Sequence, residues 1–205
     1  MAATHLDAAF GGDVPAGLAV MRDHADRWDT VIAMARAGTS SPITTSAGRL
    51  FDAVAAILGV RDRINYEGQA AAELEQLADP GETSAYPVVI AEGDPFQLAT
   101  GGLIRAVVDD IHAGVAASLV AARFHNGLAD GVVAACRRVR DATGLGVVAL
   151  SGGVFQNVVF TERVVAGLRA GGLRVLTHSR VPPNDGGISL GQAVVAGARD
   201  SAGLG

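Results

Sequence analysis

The last third of the chain alternates short apolar runs with longer amphipathic segments, and this alternation constrains the fold most strongly. The run GVVAL at 146–150 precedes a predicted helix at about 156–170, and the run LRVLT at 173–177 precedes another helix. A glycine-rich turn follows each run. Strands that alternate with helices form parallel sheets, and ligands bind at the carboxyl ends of those strands. The sequence therefore predicts a three-layer α/β fold, with a third strand near 86–92 in the same sheet.

The preceding part of the chain is predicted to be mainly helical. Apolar residues recur with an imperfect 3.6-residue period over 14–37, and Ser46 stands where the N-cap of a second helix belongs. An Ala- and Glu-rich helix is predicted over about 66–78. The long segment 102–142 is also predicted to be helical, with a break near Gly114.

Composition excludes several classes of function. The net charge is −5 and all 16 basic residues are arginine, so a P-loop lysine is absent and there is no concentrated basic cluster for nucleic acid. The single cysteine cannot form an intramolecular disulfide, which fits a reducing compartment. There is no signal-peptide pattern, and no apolar run reaches the roughly 18 to 20 residues of a membrane helix. We therefore expect a cytoplasmic chain that binds neither nucleic acid nor membrane.

The first glycine turn, SGGVFQN at 151–157, is a candidate phosphate or nucleotide loop. Gly152 and Gly153 would let the backbone approach a ligand, and the N–H groups at the start of the next helix would attract an anion. The alternative is that two glycines only permit a tight turn and close helix packing. The sequence alone leaves both interpretations open.

The second glycine turn, PPNDGG at 182–187, adds a carboxylate and a carboxamide at the end of the next strand. Parallel topology would bring it beside the first turn. Asp185 could then ligate a hard cation that bridges phosphates, or it could serve as the N-cap of the last helix. Both roles stay open at this point.

Four separated segments carry a resemblance to a known family: SSPITTSAGRLFDAVAAILGVRDRINYEGQAAAELE, ARFHN, LSGGVFQN and VPPNDGGISLGQA. They resemble the closing half of the HypF carbamoyltransferases, which build the cyanide ligands of nickel–iron hydrogenases. The last domain of that family is similar to the Kae1/TsaD proteins, of the actin-like ATPase (ASKHA) fold, and to antibiotic O-carbamoyltransferases. The resemblance covers most of 40–198. It implies one lobe of that α/β fold with additional helices: a helical N-terminal segment at 1–40, the Kae1-like lobe at 41–200 and a tail at 201–205.

The resemblance also implies which residues form the site. It implies catalytic roles for Arg49 and Asp52 and a metal-ligand role for Asp185. The residues that it implies for binding the nucleotide are Asp52, Tyr66, Glu67, Gly68, Gly152, Gly153, Asn157 and Asn184.

In the resembled family, carbamoyl phosphate and ATP form carbamoyl-adenylate in a YrdC-like domain, and the carbamoyl group passes to the C-terminal cysteine thiol of HypE. The implied cofactors are ATP or carbamoyl-adenylate and a divalent metal (Fe, Zn or Mg). The family's HxxxH metal motif is not formed by any of the five histidines here, so the metal would be shared with another half. The implied partners are a HypE-like acceptor and the N-terminal part of HypF or a split subunit, and we expect little turnover without them. The alternatives are a non-catalytic scaffold lobe or an O-carbamoyltransferase fragment.

His125, in ARFHN, lies on a predicted helix whose other face is apolar. We interpret it as a packed or capping histidine, with a ligand role as the less favoured alternative. The neighbouring Asn126 is a candidate to reach the cleft.

Overall fold

The structure is a computed structural model that describes residues 1–203. Within them lie nine α-helices, four short strands and two 3-10 turns. The helices are α1 (Ala2–Phe10), α2 (Ala19–Asp23), α3 (Ala25–Arg36), α4 (Ala47–Ile57), α5 (Gln69–Leu77), α6 (Gly101–His112), α7 (Ala117–Thr143), α8 (Val158–Ala170) and α9 (Ile188–Ser201). The strands are β1 (Val89–Ala91), β2 (Gln97–Ala99), β3 (Val147–Ala149) and β4 (Arg174–Leu176), and the 3-10 turns are Gly153–Gln156 and Asp185–Gly187.

Most helix predictions are confirmed. The Ser46 hydroxyl accepts a hydrogen bond from the Arg49 N–H at 3.4 Å and caps α4, as a serine before an apolar helical face should. The long segment breaks at Gly114, which adopts φ 72° between α6 and α7. The predicted helix at 14–37 is instead two helices, α2 and α3. Strand β2 was not predicted.

Helix α7 is the centre of the molecule. It packs along α8 and also touches α5, α6 and both strands of the β1–β2 hairpin. Its Phe124 ring lies 4.9 Å from Phe51 of α4, edge to face, and Phe51 reaches Phe160 of α8 at 5.8 Å between ring centroids. All three rings are buried, and edge-to-face pairs of this kind add about 1 kcal/mol to the burial of their apolar area.

The N-terminal helices share this core. Helix α1 packs on α4 and α6, and its Leu6 is fully buried together with Leu18 and Val20. Burial of each such side chain contributes about 1.5 to 3 kcal/mol, so the first 36 residues belong energetically to the same hydrophobic cluster as the rest.

The predicted three-stranded sheet is wrong, and so is the three-layer arrangement around it. Strand β1 forms an antiparallel hairpin with β2, with Val89 opposite Ala99, whereas β3 pairs in parallel only with β4, with Val147 opposite Arg174. The segment before β1 is held against α7 instead, where the Tyr86 N–H donates to the Arg123 carbonyl at 3.2 Å. Packing on a helix thus replaced the expected strand pairing, while the α/β class itself is confirmed.

No helix among residues 1–203 has both the length and the apolar composition needed to cross a bilayer.

Candidate functional site

The two glycine turns meet at the carboxyl ends of β3 and β4, as the parallel topology predicted. The Gly152 N–H donates to the Pro183 carbonyl at 2.8 Å, and the Asn184 Nδ2 donates to Gln156 Oε1 at 3.2 Å. Just below them, the Leu150 N–H continues the strand pairing to Leu176 at 2.9 Å. The two turns therefore form one continuous polar rim above a small parallel sheet.

Only one of the paired glycines is required by backbone conformation. Gly152 has φ 109° and ψ 155°, a region that is essentially confined to glycine. Gly153 begins the 3-10 turn without a positive φ, and a Cβ placed on it would meet only ordinary contacts at 3.9 Å or more. The strand therefore ends with a glycine-specific corner at Gly152, and it is this glycine that faces open space.

Sequence reasoning missed a polar pair on this rim. Ser151 and His178 are both exposed, and the His178 Nε2 lies 3.0 Å from the Ser151 Oγ. Each follows a strand closely, but only the pairing of β3 with β4 places them opposite each other. Their sequence separation gave no signal for this contact.

The first N–H groups of the helix after the first turn, where the sequence favoured an anion, are bonded within the chain, and anion binding there stays a prediction. That position already holds a carboxylate of the chain itself: Glu75 of α5 accepts from the Val158 N–H at 2.6 Å and from the Val159 N–H at 3.3 Å. The Asn157 Oδ1 accepts from the Phe160 N–H at 2.8 Å. These bonds satisfy the first donors of α8 and complement its dipole, so a ligand phosphate would have to bind higher, along the 3-10 turn.

Asn157 has a structural role. Its carboxamide is buried; besides capping α8, its Nδ2 lies 2.9 Å from the Nε2 of His125. The interpretation of His125 as a packed histidine is confirmed, because the ring is fully buried and its Nδ1 lies 2.7 Å from the Ala121 carbonyl. Burial lowers the pKa of His125 and favours the neutral ring. Nucleotide contact by Asn157 stays a prediction.

The neighbouring Asn126, a candidate to reach the cleft, is bonded to the segment before β1 instead. Its Nδ2 donates to the carbonyls of Glu82 and Ser84 at 3.0 and 2.9 Å and so fastens the segment before β1 to α7.

Arg49 and Asp52 lie together on α4. The Arg49 guanidinium contacts the Asp52 carboxylate at 3.2 Å, one helical turn away. Both line a cleft of about 300 Å³ whose other walls come from within residues 1–70 and include Trp28 and His24. The glycine turns lie in 151–187, beyond these walls. Helix α4 nevertheless packs against the 3-10 turn Gly153–Gln156, so the two groups share an element without sharing this cleft.

Tyr66, Glu67 and Gly68 form an exposed turn before α5. Gly68 has φ 81° and precedes the first residue of the helix. The turn is shaped by Gln69, whose buried side chain accepts from the Asn65 N–H at 2.7 Å and donates to Glu73 at 2.9 Å. Tyr66 itself is 60% exposed, so it is free to meet a ligand or another domain. Its predicted role in nucleotide binding stays a prediction.

Asp185 stands at the exposed start of the second 3-10 turn, where Asn184 acts as the cap by accepting from the Gly186 N–H at 3.0 Å. The alternative role of Asp185 as N-cap of the last helix is wrong, because α9 begins after Gly187 without a side-chain cap and Asn184 caps only the 3-10 turn. Over residues 1–203, no three His, Cys, Asp or Glu side chains cluster closely enough to hold a metal ion. The residues of this lobe thus do not complete a metal site by themselves.

Comparison with known proteins assigns this architecture. Residues 1–192 match the model of a family described as carbamoyltransferase, Kae1-like domain, second subdomain. The chain is 42% identical over 171 residues to the carbamoyltransferase HypF of Rhodobacter capsulatus, covering 81% of this chain and 21% of that protein. It is 40% identical over 196 residues to a HypF homolog of Cupriavidus necator, covering 91% and 48%. It therefore spans between about a fifth and about a half of the length of these curated relatives.

Two solved structures of HypF are similar to this chain and support the same family assignment. The crystal structure of full-length HypF in its phosphate- and nucleotide-bound form superposes with a TM-score of 0.83 at 36% identity, covering 88% of this chain and 28% of that one. HypF from T. kodakarensis gives 0.74 at 25% identity, covering 86% and 23%. The family match begins at residue 1, whereas the resemblance in the sequence covered most of 40–198 and was only loose over 1–39; α1 to α3 belong to the shared core. The chain is thus a member of the HypF carbamoyltransferase family and carries the fold of the second subdomain of its Kae1-like domain.

Proposed function

We propose that this chain is the nucleotide-binding lobe of a HypF-like carbamoyltransferase, which holds carbamoyl-adenylate while its carbamoyl group passes to the C-terminal cysteine of a HypE-like protein. The observation that carries the proposal is the joined rim of two glycine turns at the carboxyl ends of β3 and β4. Ligands of α/β folds bind at this position. The similarity to a HypF crystallised with phosphate and nucleotide supports it.

In the proposed reaction, the main contribution of this lobe is to position the carbamoyl-adenylate. Carbamoyl-adenylate is a mixed anhydride, so the acceptor thiolate sulfur can attack the carbamoyl carbon directly. The new C–S bond forms as the C–O bond to the adenylate phosphate breaks, and AMP leaves with the bonding electron pair. The lobe holds the anhydride in reach of the thiolate, which makes the step effectively unimolecular.

The residues around the rim have different proposed roles in binding the nucleotide. The Gly152 corner faces open space, and with Gly153 it is proposed to let the adenylate phosphate approach the backbone. The Ser151 and His178 side chains and the Asn184 carboxamide supply donors along the same rim. The Arg49–Asp52 pair and the exposed turn from Tyr66 to Gly68 are proposed to contact the nucleotide from the side of α4 and α5.

Asp185 is proposed to contribute a single metal ligand, and the remaining ligands must come from another half. Within residues 1–203 the carboxylates and histidines form no cluster of three, so Asp185 would act only together with ligands from that other half.

The exposed surface of α9 is a candidate interface with another part of the enzyme. All residues from Ile188 to Ser201 are exposed, including Leu190, Val194 and Val195, and α9 contacts mainly the 3-10 turn before it. Exposed apolar side chains on one helix are typical of an interface. Because the family is defined as a second subdomain, the occupant that we propose for this surface is the first subdomain of the Kae1-like domain.

Nucleotide binding by the reconstituted lobe tests the proposal. The chain is mixed with the first subdomain and titrated with ATP and AMP by calorimetry, with Gly152→Val as the test variant and Gly146→Val, just before β3, as the matched control at a position that also faces open space. We expect binding by the wild type and the control and loss of binding by Gly152→Val. The chain without a YrdC-like domain should release no pyrophosphate from ATP and carbamoyl phosphate. Absence of nucleotide binding in the reconstituted wild type would contradict the proposal.

A second candidate is a non-catalytic scaffold lobe, and the exposed surface of α9 together with the incomplete metal ligand set favours it. It predicts tight binding of the first subdomain or of a HypE-like protein without nucleotide affinity. The same titration therefore separates the two functions. Supplying a small-molecule hydroxyl acceptor instead of the thiol separates an O-carbamoyltransferase from a HypE-directed enzyme.

A further inference from the structure

The buried polar contact between α7 and the first glycine turn has no part in the function described so far. His125 is fully buried, and it contacts two groups of opposite kinds, the carbonyl of Ala121 at 2.7 Å and the carboxamide of Asn157 at 2.9 Å. Polar groups with this degree of burial are costly unless every donor meets an acceptor. The hydrogen atoms that His125 shares with Ala121 and Asn157 must therefore have one defined arrangement.

The partners fix that arrangement. A carbonyl oxygen only accepts, so the His125 Nδ1 carries the hydrogen that is donated to Ala121. The Asn157 Oδ1 accepts from the Phe160 N–H, so the atom facing the ring is the Asn157 Nδ2, which donates. The Nε2 of His125 is consequently an unprotonated acceptor. Both ends of the carboxamide and both ring nitrogens are satisfied in a single orientation.

This contact stands at the end of the proposed nucleotide rim. Asn157 closes the turn 151–157 with its own backbone, because its N–H donates to the Val154 carbonyl at 3.1 Å. On its other side, the His125 ring lies 5.1 Å from Phe51 at 72°, and Phe51 is the neighbour of Asp52 on α4. One ring thus touches both the element that ends the glycine turn and the helix that carries the Arg49–Asp52 pair.

We propose that His125 is a positioning residue: through Asn157 it holds the first glycine turn in its ligand-binding conformation, and through Phe51 it keeps that turn in register with α4. The consequence of this positioning for nucleotide affinity rests on the proposed function, whereas the positioning of the turn itself does not. His125 touches no ligand in this scheme and acts only through other side chains.

Two substitutions separate the contacts of the ring. The side-chain carboxamide atoms of asparagine stand as many bonds from Cα as the ring Nδ1, and those of glutamine as many as the Nε2. His125→Asn can therefore keep the bond to Ala121 but loses the acceptor for Asn157. His125→Gln restores an acceptor where Asn157 donates. The two variants are similar in chemistry and differ in the contact that the proposal needs.

The first readout is amide hydrogen exchange of the 205-residue chain. We expect His125→Asn to raise exchange over 151–160 by about tenfold or more while the distant part of α7 at 132–143 changes little, and His125→Gln to stay near the wild type. Equal exchange over 151–160 in the two variants would overturn the proposal. So would a rise spread evenly over the chain, since that pattern marks general destabilisation.

The second readout is ATP affinity of the chain reconstituted with the first subdomain. We expect His125→Asn to weaken binding by about tenfold and His125→Gln by less than about threefold. Unchanged affinity in His125→Asn despite a loosened turn overturns the link to the nucleotide. If the wild type binds no ATP but the exchange contrast persists, the proposed function fails while the positioning of the turn stands.

A third measurement covers the case in which His125→Asn does not fold. Nitrogen chemical shifts of the wild-type imidazole report directly which ring nitrogen is protonated. The proposal requires the tautomer with the hydrogen on Nδ1. Observation of the other tautomer would overturn it without any variant.

Discussion

Helices α7 and α9 both contain glycines among apolar residues, yet they occupy opposite environments. In α7, a Cβ added to Gly127 would overlap the backbone carbonyl of Tyr86, and one added to Gly131 would lie 2.9 Å from Val88. In α9, Gly191 and Gly197 face open space. The comparison teaches that glycine in a helix has no single meaning: in α7 it permits a close approach of the chain, and in α9 it marks a surface still without a neighbour.

The two glycine turns repeat this contrast. The first turn, 151–157, is tied to α7 through the buried bond between Asn157 and His125. The second, 182–187, leads into α9 and is held by exposed contacts such as the one from Asn184 to Gln156. A turn anchored in the core and a turn held by exposed contacts therefore face each other across the proposed nucleotide rim.

The largest expected effect comes from filling the close approach on α7. Gly127→Ala should destabilise the chain by about 3 kcal/mol, because the new methyl group displaces a backbone segment and cannot simply rotate away. Gly197→Ala on α9 is the matched control and should stabilise by about 0.5 to 1 kcal/mol. Urea denaturation followed by circular dichroism measures both. Equal effects in the two helices would break the comparison.

The next effect sharpens the contrast within the first turn. Gly152→Ala should cost about 1 to 3 kcal/mol, because φ 109° with ψ 155° is strained for any side chain. Gly153→Ala should cost less than about 1 kcal/mol, since its position is uncrowded and its φ is not positive. The denaturation midpoints of Gly152→Ala and Gly153→Ala measure this difference in stability. A larger loss at Gly153 would show that the glycine-specific corner is misplaced.

A pH dependence should follow from the buried end of the first turn. Burial lowers the pKa of His125 in the folded chain below the ordinary value of 6.5. Just below that pH, His125 is protonated in the unfolded chain but stays neutral in the folded chain. Stability should therefore fall as the pH drops from about 6.5, by up to about 1.4 kcal/mol per pH unit for this one group.

The variant His125→Gln removes this titration and provides the control. Burial also lowers the pKa of His5, so the wild type and the variant must be compared over the same pH range. The difference between the two slopes isolates His125. Parallel slopes would mean that this ring does not resist protonation in the folded chain.

The smallest effect on the chain alone is expected on α9. Val195→Asp should change stability by less than about 0.5 kcal/mol, because the side chain is 56% exposed. The same change should weaken association with the first subdomain, since it places a charge on the proposed interface. Analytical ultracentrifugation of the mixture measures this, with the exposed polar substitution Gln192→Asn as control. Unimpaired association would move the interface away from α9.

Much of the local structure could be predicted from the sequence. The Ser46 cap, the break at Gly114 and the order of strand, turn and helix after residue 146 depend on residues close in sequence, and they appear where the pattern placed them. Strand pairing was predicted poorly. The segment near 86–92 looked like a third parallel strand, but its partner is a hairpin strand and its neighbour is α7.

The candidate site divides in the same way. The glycine turns and their adjacency were predictable because strand ends in a parallel pair must meet. The Glu75 carboxylate at the start of α8 was not, because it arrives from α5 across a separation of more than 80 residues. It bonds the N–H groups at which the local sequence favoured an anion.

The sequence by itself determined most of the helical segments, the glycine turns at the two strand ends, and the family to which four separated motifs point, because each of these depends on short-range sterics or on motif order. Only the tertiary structure decided which polar groups became partners. Whether Asn157 faces a ligand or His125, and whether the start of α8 waits for a phosphate or already holds Glu75, depends on elements brought together by burial of the common core. Packing decides which of these buried groups form hydrogen bonds with each other, because a buried donor must bond to an acceptor that the fold brings within reach.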